Sequence, residues 1–386
     1  MDIGKVIFII GIVTVLHTYL IYPFILFLWN YIKPKKITTR NLESCPDVTF
    51  LIPGHNIEHL LDIKIKNLMK VTYEGNLKYL FILDGCTDNT EQKIKKYISL
   101  NTKYPIDIFI NHKREGKEAA IRKALNMVKT EVIVFSDADA ILDTNCVKQL
   151  VNTLMKENIG AVCGREIHTK INDKGASEGQ GLFYKYEEFI KERLADIGSL
   201  PYIQGGNFAM LKSLYPKNIP PGCTQDGIIA FDVVLAGYKV AYESNAITTE
   251  EYNLSNNEDF QRRIRTISRA FYSILCRPAI FNPLKSGTYF YHILSGRLLR
   301  WLTLPILIIS AIAGIFSKSS IIFYLSIIGT LLVLILVLLG YFFEKSNNRK
   351  KLPYFAYYFI YIHLAAMIAI IKVLYGSRTT TWNPSN

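Results

Sequence analysis

Two kinds of hydrophobic pattern divide the chain. Val6–Leu28, Leu302–Phe316, Ile321–Phe343 and Tyr354–Leu374 are apolar almost without interruption. Runs of this kind match a hydrocarbon layer about 30 Å thick, so they are predicted membrane spans. The second is short and contains Pro305, which loosens its boundaries. Val6–Leu28 is too long for a signal-peptide core and no small-residue cleavage site follows it, so it reads as a signal anchor. Between Val48 and Ile247 the pattern changes to short apolar runs alternating with stretches of 3.6-residue period. Strands are predicted at Val48–Ile52, Tyr79–Leu83, Ile106–Ile110 and Val132–Phe135. Helices are predicted at Leu60–Met69, Glu91–Tyr97 and Lys117–Val128. Such alternation implies an α/β domain with a mostly parallel sheet and right-handed crossovers. In that architecture ligands bind at the carboxyl ends of the strands. No G-x-G-x-x-G and no G-x-x-x-x-G-K-[ST] follows a strand, which removes the dinucleotide and P-loop readings.

Charge adds orientation. The chain has 386 residues, half of them hydrophobic, and a formal charge of +13. Lys33, Lys35, Lys36 and Arg40 follow the first span; Lys345, Arg349, Lys350 and Lys351 separate the last two. Basic loops stay on the cytoplasmic side, so one crossing, a large cytoplasmic domain and three crossings fit both loops. The tail from Gly376 carries Arg378 and is the weak point of that layout. Anionic lipid and a phosphate-bearing substrate account for the positive balance, and no nucleic-acid motif is present. The six cysteines are scattered without a C-x-x-C pair and are expected to be reduced thiols.

The segment Val132–Asp139, VIVFSDAD, carries the most chemistry. Asp137 and Asp139 stand i, i+2 where a strand opens into a loop, so both carboxylates can face the same way. That pair suits a hard divalent cation with positions left for phosphate oxygens. Lys117 follows Gly116 at a predicted helix start, where an ammonium and the helix N-terminus can meet a diphosphate; Arg114 is a second candidate. His55-Asn56-Ile57-Glu58-His59 fits H-x-x-E-H, a zinc motif when helical, but it follows Pro53-Gly54 at a strand end.

Four blocks, VTFLIPGHNIEHLLDIKIKNL, YLFILDGCTDNT, REGKEAAIRKAL and VIVFSDAD, resemble the successive blocks of a family 2 glycosyltransferase of GT-A fold. Gly160–Gly164, Gln204–Asn207, Thr224–Asp226 and Arg262–Arg265 follow in the family order. The membrane layout is similar to that of the synthases of hyaluronan, chitin and poly-N-acetylglucosamine. The resemblance implies a nucleotide-sugar donor, a UDP-sugar, bound by Asp84, Lys117, Asp137, Arg263 and Arg265. It implies Mg²⁺ or Mn²⁺ on Asp139 and Asp137, and Asp226 as the base of an inverting transfer. Gln204, Gly205, Gly206 and Asn207 would line the acceptor site. Three positions depart from the pattern: Leu83 precedes Asp84 where a second acid is common, Gln225 stands for an acid, and Thr266 stands for the tryptophan of Gln-x-x-Arg-Trp. The last puts processive elongation in doubt.

The domains expected are an anchor at 1–35, the GT-A domain at 45–280, an interfacial amphipathic segment at 281–300, transmembrane helices at 301–375 and a tail at 376–386. The expected protein sits in the plasma membrane, among membrane lipids, and extends a surface or exported polysaccharide. The competing readings are a single-sugar transferase acting on a polyprenyl-phosphate-linked acceptor, a zinc protease centred on His55 and His59, and a degenerate sugar-binding protein.

Overall fold

The computed structural model describes residues 2–32, 45–100, 105–170, 178–252, 256–345 and 351–377. Of the residues used for orientation, Lys33, Lys35, Lys36, Arg40, Arg349, Lys350 and Arg378 lie outside the described residues.

Among the described residues eight strands form one sheet: β1 Val48–Gly54, β2 Leu77–Asp84, β3 Ile106–Asn111, β4 Val132–Phe135, β5 Ile141–Leu142, β6 Ile159–Lys170, β7 Phe208–Leu211 and β8 Lys239–Tyr252. Their order is β3-β2-β1-β4-β7-β6-β8-β5. The first four strands pair in parallel, as their alternation with helices predicts. Beyond β4 the sheet is mixed, because β7 runs antiparallel to β4 and to β6, and β5 antiparallel to β8. The fold is the GT-A type of Rossmann-like sheet.

Alternate residues of the strands feed two cores. Leu51, Leu80, Ile82, Ile133 and Phe135 point to one face, and Phe50, Ile52, Phe81, Leu83, Val132 and Val134 to the other. This is the period-2 geometry of a strand covered on both sides, and it explains why these runs read as continuously apolar. Phe135 stacks on Phe208 with ring centroids 4.3 Å apart, which locks β4 to β7 directly beneath the loop that carries Asp137. Burying each such side chain stabilises the fold by about 1.5–3 kcal/mol.

Among the described residues three helices are long and apolar enough to cross a membrane: Ile3–Ile32, Ser320–Glu344 and Leu352–Leu374. A fourth crossing arises if the pair Tyr289–Trp301 and Thr303–Ile315, bent by 64°, is one broken span. The bend falls at Leu302 because Pro305 sits in the first turn of the second helix, where a missing N–H breaks no bond within that helix. Ile321, Ile328 and Leu331 on the span Ser320–Glu344 are more than half exposed. An apolar surface of this extent is what lipid-facing helices present.

Candidate active site

The site forms where β1, β2 and β4 end, and five segments of chain converge on it.

The first is the loop after β4. Asp137 and Asp139 follow the buried Ser136, and the backbone here is held from below by Lys64. Lys64 lies on the helix Leu61–Leu68, in the stripe formed by Leu61, Ile65 and Leu68 that packs under the sheet. Its ammonium donates to Ser136 Oγ at 2.7 Å, to Asp137 O at 2.8 Å and to Ala140 O at 2.7 Å. The three protons of a lysine are thereby matched by three acceptors. Burial pulls its pKa down to about 8, against the opposing pull of Asp137, Asp139 and Glu250. Sequence reading passed over Lys64, although a lysine inside an apolar helical stripe was a visible signal.

The second segment is β8. Ile141, two residues after Asp139, pairs with Thr249. That pairing sets Glu250 against the Asp137/Asp139 loop. Ligand oxygens of Asp137, Asp139 and Glu250 all lie within 4.8 Å of one another. Glu250 was not predicted. Burial and the carboxylates of Glu166, Asp139 and Asp137 push its pKa up to about 8. Burial, then Asp137, also raises Asp139 above the usual carboxylate range. Glu166, on β6, is pushed up to about 7, first by burial and then by Asp137. Crowded carboxylates that resist ionisation together make a site that a cation relieves. An all-oxygen donor set fits Mg²⁺ or Mn²⁺.

The third segment is the helix Lys117–Ala124. Gly116 precedes it with φ +98°, a conformation that favours glycine. Its N–H then points at Asp84, whose Oδ2 accepts it at 2.6 Å. Asp84 Oδ1 also accepts from Glu115 N and from Asn111 Nδ2, each at 2.9 Å. Asp84 was expected to contact a nucleotide; in the structure its carboxylate holds the loop that delivers Lys117. The Lys117 ammonium donates to Asp137 Oδ1 at 2.5 Å. Burial alone would lower its pKa, but Asp137 and Asp226 outweigh it and hold the group protonated above its ordinary value.

The fourth segment is the helix Gln225–Leu235. Its N-cap is Thr224, whose Oγ1 accepts from Gly227 N at 3.0 Å. Asp226 is therefore not needed as a cap and projects from the first turn. Burial pushes its pKa up to about 6; Lys117 opposes that shift and Asp137 adds to it. The loop Gln204–Asn207 packs between Asp226 and the carboxylate cluster. A Cβ at Gly205 would lie 3.0 Å from Asp226 Oδ1, and a Cβ at Gly206 would lie 2.5 Å from Glu250 Oε1. Adjacent residues are 3.8 Å apart along the chain, so Asp226 and the carboxylate cluster border one cleft. The rest of the loop is braced from behind. Gly206 N donates to Glu166 Oε1 at 2.9 Å, and Gln204 Oε1 accepts from Lys191 at 3.0 Å. Asn207 is fully buried, with Nδ2 donating to Ala246 O at 2.7 Å. It supports the loop from beneath and does not face an acceptor.

The fifth segment is the helix Asn256–Cys276, and here the structure revises the expected diphosphate clamp. Arg263 turns away from the cleft, pairing with Asp259 at 2.7 Å and donating to Tyr358 of a membrane helix at 3.0 Å. Arg265 stays near Arg262 and Arg269, and burial with those two charges lowers its pKa. Arg262, one residue from the predicted pair, is the one whose charge acts on Glu250. Arg269 pairs with Glu118 and donates to Cys223 O at 2.7 Å, tying this helix to the two that carry Lys117 and Asp226. The shift of one residue follows from the helical period: Ile264 and Ser268 face the last membrane helix, which leaves 262, 265 and 269 toward the cleft.

The zinc reading fails on local geometry. His55 and His59 lie in a bend and turn before the helix that begins at Leu61. His55 Nδ1 donates to Asp84 O at 2.8 Å. Among the described residues the one group able to hold a metal is Asp137, Asp139 and Glu250.

Comparisons with known proteins agree with this geometry. The family model described as "Glycosyl transferase family 2" matches residues 49–218. The O-antigen chain rhamnosyltransferase RfbN of Salmonella typhimurium is 25% identical over 229 residues, covering 57% of this chain and 71% of that protein. The UDP-Glc:alpha-D-GlcNAc-diphosphoundecaprenol beta-1,3-glucosyltransferase WfgD of Escherichia coli is 27% identical over 117 residues, 30% of this chain and 44% of that protein. The chain thus spans less than half the length of WfgD. Among solved structures, the mannosyltransferase PcManGT from Pyrobaculum calidifontis, in complex with GDP-Man and Mn²⁺, superposes with a TM-score of 0.68. It covers 96% of this chain and 99% of that one at 18% identity. That likeness shows the fold.

The candidate ligand Glu250 yields a prediction. Glu250→Gln removes one of three anionic oxygens from the cluster, so the Mn²⁺ concentration for half-maximal activity should rise at least tenfold while excess Mn²⁺ restores much of the rate. An unchanged metal requirement would take Glu250 out of the ligand set.

Proposed function

Because the chain carries a glycosyltransferase family 2 domain, we propose that it transfers a sugar from a nucleotide-sugar donor to an acceptor held at the membrane, with inversion at the anomeric carbon. The observation that carries this reading is the single cleft bordered by the Asp137/Asp139/Glu250 group on one side of Gly205-Gly206 and by Asp226 on the other.

Asp137, Asp139 and Glu250 would hold a divalent cation, which when bound neutralises the donor diphosphate. Lys117, fixed by the loop that Asp84 orients, adds a second positive charge at the same place. Arg262 and Arg265 replace the expected Arg263/Arg265 clamp on the leaving side. Asp226 takes the proton of the acceptor hydroxyl as that oxygen attacks the anomeric carbon. The bond from the anomeric carbon to the phosphate oxygen breaks on the opposite face, and a nucleoside diphosphate departs. Gly205 and Gly206 keep the space between base and metal open for the two sugars.

The basic loops after the first span and between the last two orient the domain toward the cytoplasm of a plasma membrane. The acceptor is a glycan or a lipid-linked sugar; the loss of the signature tryptophan at Thr266 favours limited addition over long-chain synthesis.

The test is nucleoside diphosphate release from a panel of donors in purified membranes, followed by a pH profile with the active donor. Asp226 works only when ionised, and burial raises its pKa to about 6. The rate should therefore climb with pH through about 6 and level off above it, whereas an ordinary aspartate would give a limb near 4. No release from any donor would end the transferase reading.

A further inference from the structure

Asp226 sits in the first turn of Gln225–Leu235, and the helix Asn256–Cys276 grips the start of that helix from one side. Arg269 Nη2 donates to Cys223 O at 2.7 Å. One turn on, Ser273 Oγ accepts from Thr224 N at 2.8 Å. Just past the helix end, Arg277 donates to Asp232 Oδ1 at 2.7 Å and to Asn218 O at 2.9 Å. Positions 269, 273 and 277 are spaced four apart and so form one row. The row holds the helix that bears Asp226 before its cap, at its cap and in its last turn. Ile264 and Ser268, on another face, ride on the last membrane helix.

Arg269 does more than the other two. The same Nη2 also donates to Glu118 on the helix Lys117–Ala124, and this ion pair is largely buried. The two cations that act most strongly on Asp226 are Lys117 and Arg269, and Lys117 is tied to Asp137. Asp137 and Glu118 oppose them, and of the Arg269/Glu118 pair the arginine has the larger influence. Glu166 and Cys163 on β6 and Tyr215 after β7 also feel the charge of Asp226, and none of them supplies a positive one. Arg269 Nε is buried without a hydrogen-bond partner among the described residues. An unmatched buried donor is a cost that hydrogen bonding to the loop does not explain. What a guanidinium supplies here is a charge that burial does not remove. A lysine is less secure in this domain, since burial pulls Lys64 down to about 8.

We propose that Arg269 is the positioning residue of the base: bonded at once to Glu118 and to the Cys223 carbonyl, it fixes the first turn of Gln225–Leu235 and keeps a permanent positive charge near Asp226. The proposal rests on the transferase reading and adds to it a residue that acts through Asp226 without touching either sugar. Arg269 lies four residues beyond Arg265 and has no part in the diphosphate clamp.

The experiment is the pH profile of kcat and of the donor KM, read from nucleoside diphosphate release by the full chain in membranes. Arg269→Gln keeps a donor for Cys223 O, removes the charge and leaves Glu118 unopposed. An ionised Asp226 is then harder to form, so the acid limb should move up by about one pH unit, with a loss of about tenfold at about pH 5 that shrinks above about pH 8. Glu118→Gln removes the opposing carboxylate and should move the limb down by about half a unit. Arg269→Lys should bring the limb back to within about 0.3 unit of the unaltered protein. Ser273→Ala loosens the same loop without touching a charge, so it should lower kcat and leave the limb in place. The donor KM should stay within about threefold throughout. A limb unmoved by Arg269→Gln overturns the proposal. So does a large rise in donor KM with kcat intact, which would make Arg269 a donor ligand, and so does a Ser273→Ala limb shifted as far as that of Arg269→Gln. Should Arg269→Gln fail to fold, Glu118→Gln decides, and a limb that does not move down overturns the proposal. No release by the unaltered protein sinks the transferase reading and this inference with it; release with an unmoved limb sinks this inference alone.

Discussion

Asp226→Asn should reduce sugar transfer by about 10²–10⁴-fold while leaving Mn²⁺ and nucleotide binding within about threefold of the unaltered protein. The substitution keeps size and shape and removes only the capacity to accept a proton. Helix integrity is not at stake, because Thr224 caps the helix and Asp226 sits past it in the first turn. Asp226 also stands apart from the group able to hold a metal, Asp137, Asp139 and Glu250. The effect should therefore fall on kcat and not on the donor KM, the split expected of an interaction made in the transition state. Steady-state kinetics with isothermal titration of donor and Mn²⁺ would read both. Transfer within tenfold of normal would mean another group takes the proton, and Glu166, pushed up to about 7 by burial and by Asp137, is the next candidate to examine.

How much of this was legible in the sequence depends on how far each residue stands from a strong local signal. Asp84, Asp137 and Asp139 end strands whose apolar runs mark them unmistakably, and all three lie at the predicted edge. Asp226 came through the family pattern, and its exposure to the cleft depended on Thr224 taking the cap. Glu250 was out of reach for two reasons. Its strand extends past Ile247, where the apolar pattern fades, to Tyr252. Its approach to Asp139 depends on the β5–β8 pairing and on the register shift opposite Gly164/Arg165, neither of which leaves a local trace. Of the two expected arginines Arg263 is turned away to Asp259 and Tyr358, since a basic helix shows no face until its apolar partners Ile264 and Ile267 are known to meet the last membrane helix. Asn207 was assigned to the acceptor site by the family resemblance, yet the strand β7 starts at the next residue and draws it into the core.

The largest stability effect is expected at Lys64. Three buried acceptors, one hydroxyl and two carbonyls, depend on this ammonium. Leaving buried acceptors unmatched costs about 1–3 kcal/mol each, and breaking a buried charged network costs about 3–5 kcal/mol. Lys64→Met preserves the length and apolar packing of the side chain, so the loss isolates the hydrogen bonds and the charge. Two effects then act on the metal site with opposite sign. Removing a cation beneath Asp137, Asp139 and Glu250 strengthens the pull on Mn²⁺, while releasing the Asp137 and Ala140 carbonyls loosens the loop that aligns the ligands. Without metal both effects destabilise, since three carboxylates lose the positive charge nearest to them from below. The variant should therefore unfold several degrees lower than the unaltered protein in the presence of a chelator, and saturating Mn²⁺ should raise its midpoint by more than it raises that of the unaltered protein. Transfer should fall at least tenfold even at saturating metal, because ligand alignment and not occupancy is what the lysine secures. Thermal unfolding followed with and without Mn²⁺ separates these terms. Coincident midpoints for the two proteins in chelator would show that the loop stands without its lysine, and the alignment argument would go with it.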